Sequence, residues 1–281
     1  MPELPEVEIT ARRIGGAIAG ATVESTLAPG INALKTYDPP LTTLDGRRVD
    51  GVRRRGKLFL VDLEDELTLL IHLMSAGRLQ LFDKRSSLRD RTSRFLLRLD
   101  DGPELRLREF GTKQRAWVKL LRAADVDTDE TLAALGPEAW PDPPPFAPLL
   151  DAPRPLHPLL RDQHVIAGIG RSWVDEILHD AKLSPFKRGA DLDDDEAERL
   201  RSATTRQLGR AIAHYEEVIA LPIPDKLPMP LEVHRHQGEP CPRCGDRLEA
   251  VFYEDYVMSY CPTCQTDGKL LKDRRLSRLL R

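Results

Sequence analysis

Aromatic residues are scarce, 5% of 281, and no strand-like run is rich in them. A stacking platform for single-stranded bases is disfavoured on that ground, and with it a protein of RNA or ribosome assembly. No apolar run approaches the roughly 18–20 residues that a membrane span needs, so no membrane partner is expected. The opening MPELPEVE is acidic and lacks a basic segment leading into an apolar core. The expectation is therefore a chain without a secretory signal, located in the cytoplasm. Net positive charge is also missing: 42 Lys and Arg against 45 Asp and Glu leave −3. That excludes a uniformly basic nucleic-acid binder but not a segregated one, since a partner feels local patches rather than totals.

The positive charge that is present is clustered. It lies at Arg53, Arg54, Arg55 and Lys57, at Arg106, Arg108, Lys113 and Arg115, and in a tail from Lys269 to Arg281. Acidic residues gather at 125–130 and 191–198. With 41% hydrophobic and 31% charged residues the composition is that of a folded globular chain, long enough for about two domains.

Leu4, Val7, Ala11, Ile14 and Ile18 recur at helical spacing and predict a helix over 4–18, with Gly15, Gly16 and Gly20 weakening it and marking its end. From about 47 to 121 the pattern shortens to alternating runs such as KLFLVDLE, ELTLLIHL and ELRLRE, which predict a β-sandwich or barrel. Nine of the 23 prolines fall within 137–158. Proline fixes φ and lacks a donor, so this stretch is expected to hold neither helix nor central strand and to act as a semi-rigid linker. Beyond it, Trp173–Lys182 and a segment opening at Asp193–Asp195 read as helices, the second ending before Pro222. The division expected is an N-terminal domain over 1–135, a linker over 136–158, a helical domain over 159–235, a cysteine module over 236–270 and a basic tail over 271–281.

All four cysteines sit in that module, as Cys241, Cys244, Cys261 and Cys264, with C-x2-C-x16-C-x2-C spacing. Two tight knuckles that each converge two thiolates suit one tetrahedral Zn2+, with residues 247–260 as the hairpin between them. Gly245 follows the first knuckle, where a permissive backbone is needed. The alternatives are two disulfides or four unrelated thiols, and a cytoplasmic setting disfavours the former. Four ligands with no open position imply a structural metal, so chemistry must lie elsewhere.

One candidate is the N-terminus. Removal of Met1 before the small Pro2 would expose a secondary amine with a pKa near 7.7–8, partly neutral at pH 7. Such an amine can attack carbon and form an iminium, and Glu3 beside it can move a proton. The alternative is a proline that merely starts a helix with acids in its first turn.

PELPEVE at the N-terminus stands in one ordered set with Arg54-Arg55-Gly56-Lys57, Ile71-His72-Leu73-Met74, Phe110-Gly111 after Arg108, Ala167-Gly168-Ile169-Gly170 and the distal cysteine finger. This set resembles the formamidopyrimidine-DNA glycosylase / endonuclease VIII family over Pro2 to Gln265. The resemblance implies an α+β multidomain chain. Its parts are an N-terminal β-sandwich with a leading helix, a helix–two-turn–helix domain and a C-terminal zinc β-hairpin, with damaged double-stranded DNA in the cleft between domains. A monomer suffices for that partner. The implied activity is excision of oxidised bases by a bifunctional glycosylase and abasic-site lyase.

By residue match, Pro2 is the implied nucleophile and Glu3 the acid that protonates the opening sugar. Glu6 is a supporting acid, and Lys57 contacts phosphate near the lesion. Met74, Arg108 and Phe110 match the groups that fill the gap left by a flipped base; packing and surface charge are their alternatives. Gly168 and Gly170 are expected to leave backbone N–H groups free for phosphate. Three positions depart from the family pattern. Arg171 stands where asparagine is usual, and Tyr256 stands where the finger usually has an arginine, a loss that Arg235 or the tail would have to offset. Met74 follows His72 by two residues instead of three, which on a strand would reverse its face. Arg171 and Tyr256 motivate a second reading, a non-catalytic or lyase-impaired binder of damaged DNA.

Overall fold

The computed structural model describes residues 2–30, 32–87, 90–100, 102–110, 113–254 and 256–272. Met1, Gly111, Asp255 and the tail beyond Lys272, all part of the expectations above, lie outside the described residues. The chain divides into two compact units: residues up to Ala134 together with Ile212–Pro228, and Leu135–Ala211 together with Met229 onward.

In the first unit, helix α1 (Leu4–Ile18) is followed by eight strands. These are β1 (Val23–Leu27), β2 (Val49–Arg55), β3 (Leu58–Leu63), β4 (Leu67–His72), β5 (Gly77–Phe82), β6 (Ser93–Leu99), β7 (Glu104–Glu109) and β8 (Trp117–Arg122). They pair antiparallel in two four-stranded sheets, ordered β1-β6-β7-β5 and β2-β3-β4-β8. Alternation along the strands turns Phe95, Leu97, Leu105 and Leu107 of one sheet and Phe59, Val61, Leu69 and Ile71 of the other into one core. Val7, Ala11, Ile14 and Ile18 of α1 complete it, so the leading helix is part of the sandwich's own core. Gly15 does not end the helix. A Cβ there would lie 3.3 Å from that of Val52, so the glycine permits close packing on β2. Two single-turn helices, α2 (Ala123–Val126) and α3 (Glu130–Ala133), close this stretch of chain.

The second unit contains α4 (Phe146–Leu149), α5 (Leu156–Leu160), α6 (Trp173–Asp180), the start of the long α7 (Asp194–Val218), the hairpin β9 (Glu249–Phe252) and β10 (Val257–Tyr260), and α8 (Pro262–Thr266). The helices α4 and α5 correct the expectation that the proline-rich stretch holds none. Pro145 and Pro155 precede the two helices, while Pro148 and Pro158 sit within their first turns. No intrahelical partner exists there for a backbone N–H, so proline costs nothing. Phe146, Leu150, Leu156 and His157 are buried, which packs the stretch into the unit. At the head of α7, Asp193 accepts from the Glu196 N–H at 2.8 Å and donates its own N–H to the Glu196 carboxylate at 3.1 Å, a reciprocal cap.

Candidate nucleic-acid interface and metal centre

Glu3 is the N-cap of α1 and is buried, with its N–H donating to the Glu6 carboxylate at 2.8 Å in a capping box. The other Glu6 oxygen accepts from the Tyr215 hydroxyl at 2.7 Å. Tyr215 is fully buried, and burial followed by the Glu6 carboxylate pushes its phenol far above the ordinary range. The link crosses 209 positions of sequence, so nothing local signals it. It holds the first turn of α1 against Ile212–Val218, the last turns of α7. Arg13 fastens the same end, donating to the carbonyls of Glu216 at 2.6 Å and Ile219 at 2.8 Å, which a helix terminus leaves without intrahelical partners.

Lys57 occupies the two-residue turn between β2 and β3, behind Gly56 with φ +56°. The turn is tied to α1 by Arg54, nearly buried, whose Nε lies 2.6 Å from the Glu8 carboxylate. Across the ladder Leu58 pairs with His72. Burial, then the nearby Lys57 charge, lowers the His72 imidazole to about 4, so it is neutral at pH 7.

Met74 is not on a strand. β4 ends at His72, and Met74 lies in a turn at φ +50°, an unusual value for a side chain with a Cβ, with its sulfur against the His72 ring. The face-reversal expected from its spacing therefore does not apply. The turn is closed by the Gly77 N–H donating to the Leu73 carbonyl at 2.8 Å, and Gly77 pairs with Glu109 at the end of β7. Phe110 follows at that end, 38% exposed, with the Arg108 guanidinium 4.7 Å from its ring centroid. Arg108 is further positioned by Gln80 at 3.0 Å and Asp225 at 3.4 Å. The sandwich thus carries Arg108 and Phe110 as one stacked pair.

In the second unit, the turn at Gly168-Ile169-Gly170 departs from expectation in one respect. The Gly168 N–H is not free: it donates to the Gln163 side chain at 2.9 Å, at φ +113°. Gln163 also donates to the carbonyls of Arg161 and Ile169, so one amide shapes the loop that precedes Arg171. No local pattern in the sequence marks Gln163.

The four cysteines are unpaired, and their sulfurs lie within 4.8 Å of one another. Cys241 to Cys264 is 3.9 Å and Cys244 to Cys261 is 3.5 Å. The edge of a thiolate tetrahedron with ~2.3 Å metal–sulfur bonds is about 3.8 Å, so this donor set fits one ion. Gly245 takes φ +79° after the first knuckle, and the N–H groups of Arg243 and Cys264 point at sulfur at 3.4 Å.

Acids in the first turn of α6 hold the segment that leads into this module. Glu176 accepts from the N–H groups of Val233 and His234 at 3.0 and 2.8 Å, and Asp175 from the Ser259 N–H and His234 Nδ1 at 2.9 and 2.7 Å. His234 is therefore a structural histidine, while His236 is half-buried beside Glu239.

Comparison with known proteins accords with this arrangement. The formamidopyrimidine-DNA glycosylase N-terminal domain matches residues 1–113, and the formamidopyrimidine-DNA glycosylase H2TH domain matches residues 146–221. The formamidopyrimidine-DNA glycosylase of Moorella thermoacetica is 34% identical over 268 residues, covering 89% of this chain and 94% of its own. That of Thermus thermophilus is 32% identical over 284 residues, covering 95% and 100%. Among solved structures, wild-type Lactococcus lactis Fpg (MutM) in complex with DNA containing N7-benzyl-Fapy-dG superposes with a TM-score of 0.84 at 25% identity, over 94% of this chain and all of that one. The MutM (Fpg) protein from Thermus thermophilus gives 0.80 at 31% identity, over 95% and 100%. The chain belongs to the formamidopyrimidine-DNA glycosylase family, a class of DNA-repair enzymes.

Proposed function

We propose that this glycosylase excises oxidised bases from duplex DNA through a covalent intermediate on Pro2 and then cleaves the strand by elimination. The observation that carries the reading is the buried Glu3–Glu6–Tyr215 chain of hydrogen bonds at the start of α1, immediately beside Pro2. The Glu3–Glu6 pair is a cap of the kind that also starts α7, but the buried Tyr215 hydroxyl on Glu6 goes beyond what a helix start needs. It suits a residue whose position decides a reaction.

In this reading Met1 is removed, and the Pro2 nitrogen attacks C1′ of the damaged nucleotide. The N–C1′ bond forms as the bond from C1′ to the base breaks, and the base leaves with that electron pair and takes up the proton given up by the Pro2 nitrogen. The sugar ring then opens, O4′ takes a proton from Glu3, and an iminium remains between Pro2 and C1′. Loss of a C2′ proton expels the 3′ phosphate and cuts the strand. Glu6 acts by positioning Glu3, and Lys57 by binding phosphate. Met74 and the Arg108–Phe110 pair occupy the gap left by the extruded base. Gly168, Gly170 and Arg171 border a phosphate, with Gly168 shaping the loop instead of donating from it.

The four-cysteine module holds one structural Zn2+, which ties the two knuckles together when bound. A lesion panel assayed on one gel, for base release and for the chemistry of the cut ends, tests the activity. Release of an oxidised base with accompanying strand cleavage is expected. Tight binding to every duplex with neither product would favour the non-catalytic binder instead.

A further inference from the structure

Two arginines approach one tyrosine ring in the second unit. The Arg161 guanidinium lies 4.4 Å from the Tyr256 centroid and that of Arg171 5.3 Å. The ring is itself fixed by stacking, on Tyr253 at 4.4 Å and 13° and on His157 at 5.7 Å and 9°. His157 is buried, and its Nε2 lies 3.3 Å from a carboxylate oxygen of Asp175, which is fully buried. A rigid aromatic stack with a buried acid behind it thus gathers two cations.

Like charges gathered on one ring repel, and the arrangement becomes favourable when an anion sits between them. Among the described residues the Arg161 guanidinium makes no hydrogen bond or ion pair; its recorded contact is the ring. With the ring as its partner the guanidinium keeps N–H donors for a further acceptor, and its planar fork matches a phosphate. The loop bearing Arg161 also leads to Arg171, and Gln163 bonds to the carbonyls of Arg161 and Ile169 within it.

We propose that Arg161 is a phosphate-binding residue of the DNA site, held over the Tyr256 ring and sharing one backbone phosphate with Arg171. The inference rests on the DNA-acting reading above. Tyr256 supplies no charge itself and instead holds cations from another element. The missing positive charge at that position is thereby supplied by those cations.

The test uses the full chain and a duplex carrying a tetrahydrofuran residue, an abasic analogue that cannot react. Binding is followed by fluorescence anisotropy across a salt series. Arg161→Ala should weaken binding about tenfold and reduce the slope of log K against log salt by about one. Arg161→Lys should keep the slope and lose part of the affinity. Tyr256→Leu should weaken binding severalfold, and the double variant with Arg161→Ala should lose about the tenfold of Arg161→Ala alone instead of the product of the two losses, because the platform acts through Arg161. Tyr256→Phe, which keeps the ring, should bind like wild type. Unchanged affinity and slope for Arg161→Ala, or fully additive losses in the double variant, would overturn the proposal. The readout is independent of catalysis: wild type that binds the analogue but releases no base sinks the proposed chemistry, while the salt slopes still decide the role of Arg161.

Discussion

The hydroxyl of Tyr215 is the long-range contact on which the proposed nucleophile's surroundings depend. Tyr215→Phe removes the donor and leaves a buried Glu6 oxygen without it, which should cost about 1–3 kcal/mol in urea unfolding. His72 supplies a second prediction. Its imidazole titrates at about 4 in the folded chain against an unfolded value near 6.5. Between those values the unfolded chain binds a proton that the folded chain refuses, so stability falls as pH drops from about 6.5 to 4. The contribution is about 3 kcal/mol at most. Replacing His72 with Asn should flatten that part of the stability profile, measured by urea midpoints at a series of pH values; an unchanged profile would mean that folding does not depress the His72 imidazole.

The turn between β4 and β5 is built around Gly77. A Cβ there would lie 2.4 Å from the Leu73 carbonyl oxygen, so Gly77→Ala must open the turn that carries Met74. Base release should fall at least tenfold while urea stability changes by only about 1–2 kcal/mol, provided Met74 fills the gap as proposed. Elements of this kind are only partly legible in the sequence. Strands β3 to β8 show there because alternating apolar residues need no distant partner to be recognised. β1, Val-Glu-Ser-Thr-Leu, does not, since its place at a sheet edge leaves one residue of five buried. The short helices α4 and α5 are hidden by the very prolines that start them. Motif residues such as Glu3, Lys57 and the cysteines are visible from order and spacing. The Tyr215–Glu6 and Arg161–Tyr256 contacts are not, because contacts across many residues leave no local periodicity.

At the scale of the whole molecule, a net charge of −3 coexists with a proposed polyanionic partner. Duplex affinity should therefore fall steeply and linearly on a log–log plot against salt, since local clusters and not the total charge meet the phosphates. Metal analysis should return one zinc per chain, and Cys261→Ser should lose the ion together with most duplex affinity. A stoichiometry of zero with intact binding would remove the metal from the scheme.

The central claim is a covalent bond from the Pro2 nitrogen to a sugar carbon. Borohydride reduction of the chain on a duplex with an abasic site, followed by proteolysis and mass spectrometry of the adduct, tests it directly. A stable cross-link mapped to Pro2, in a chain that has lost Met1, is the predicted result. A cross-link mapped to a lysine, no cross-link at all, or a chain that retains Met1 would contradict it.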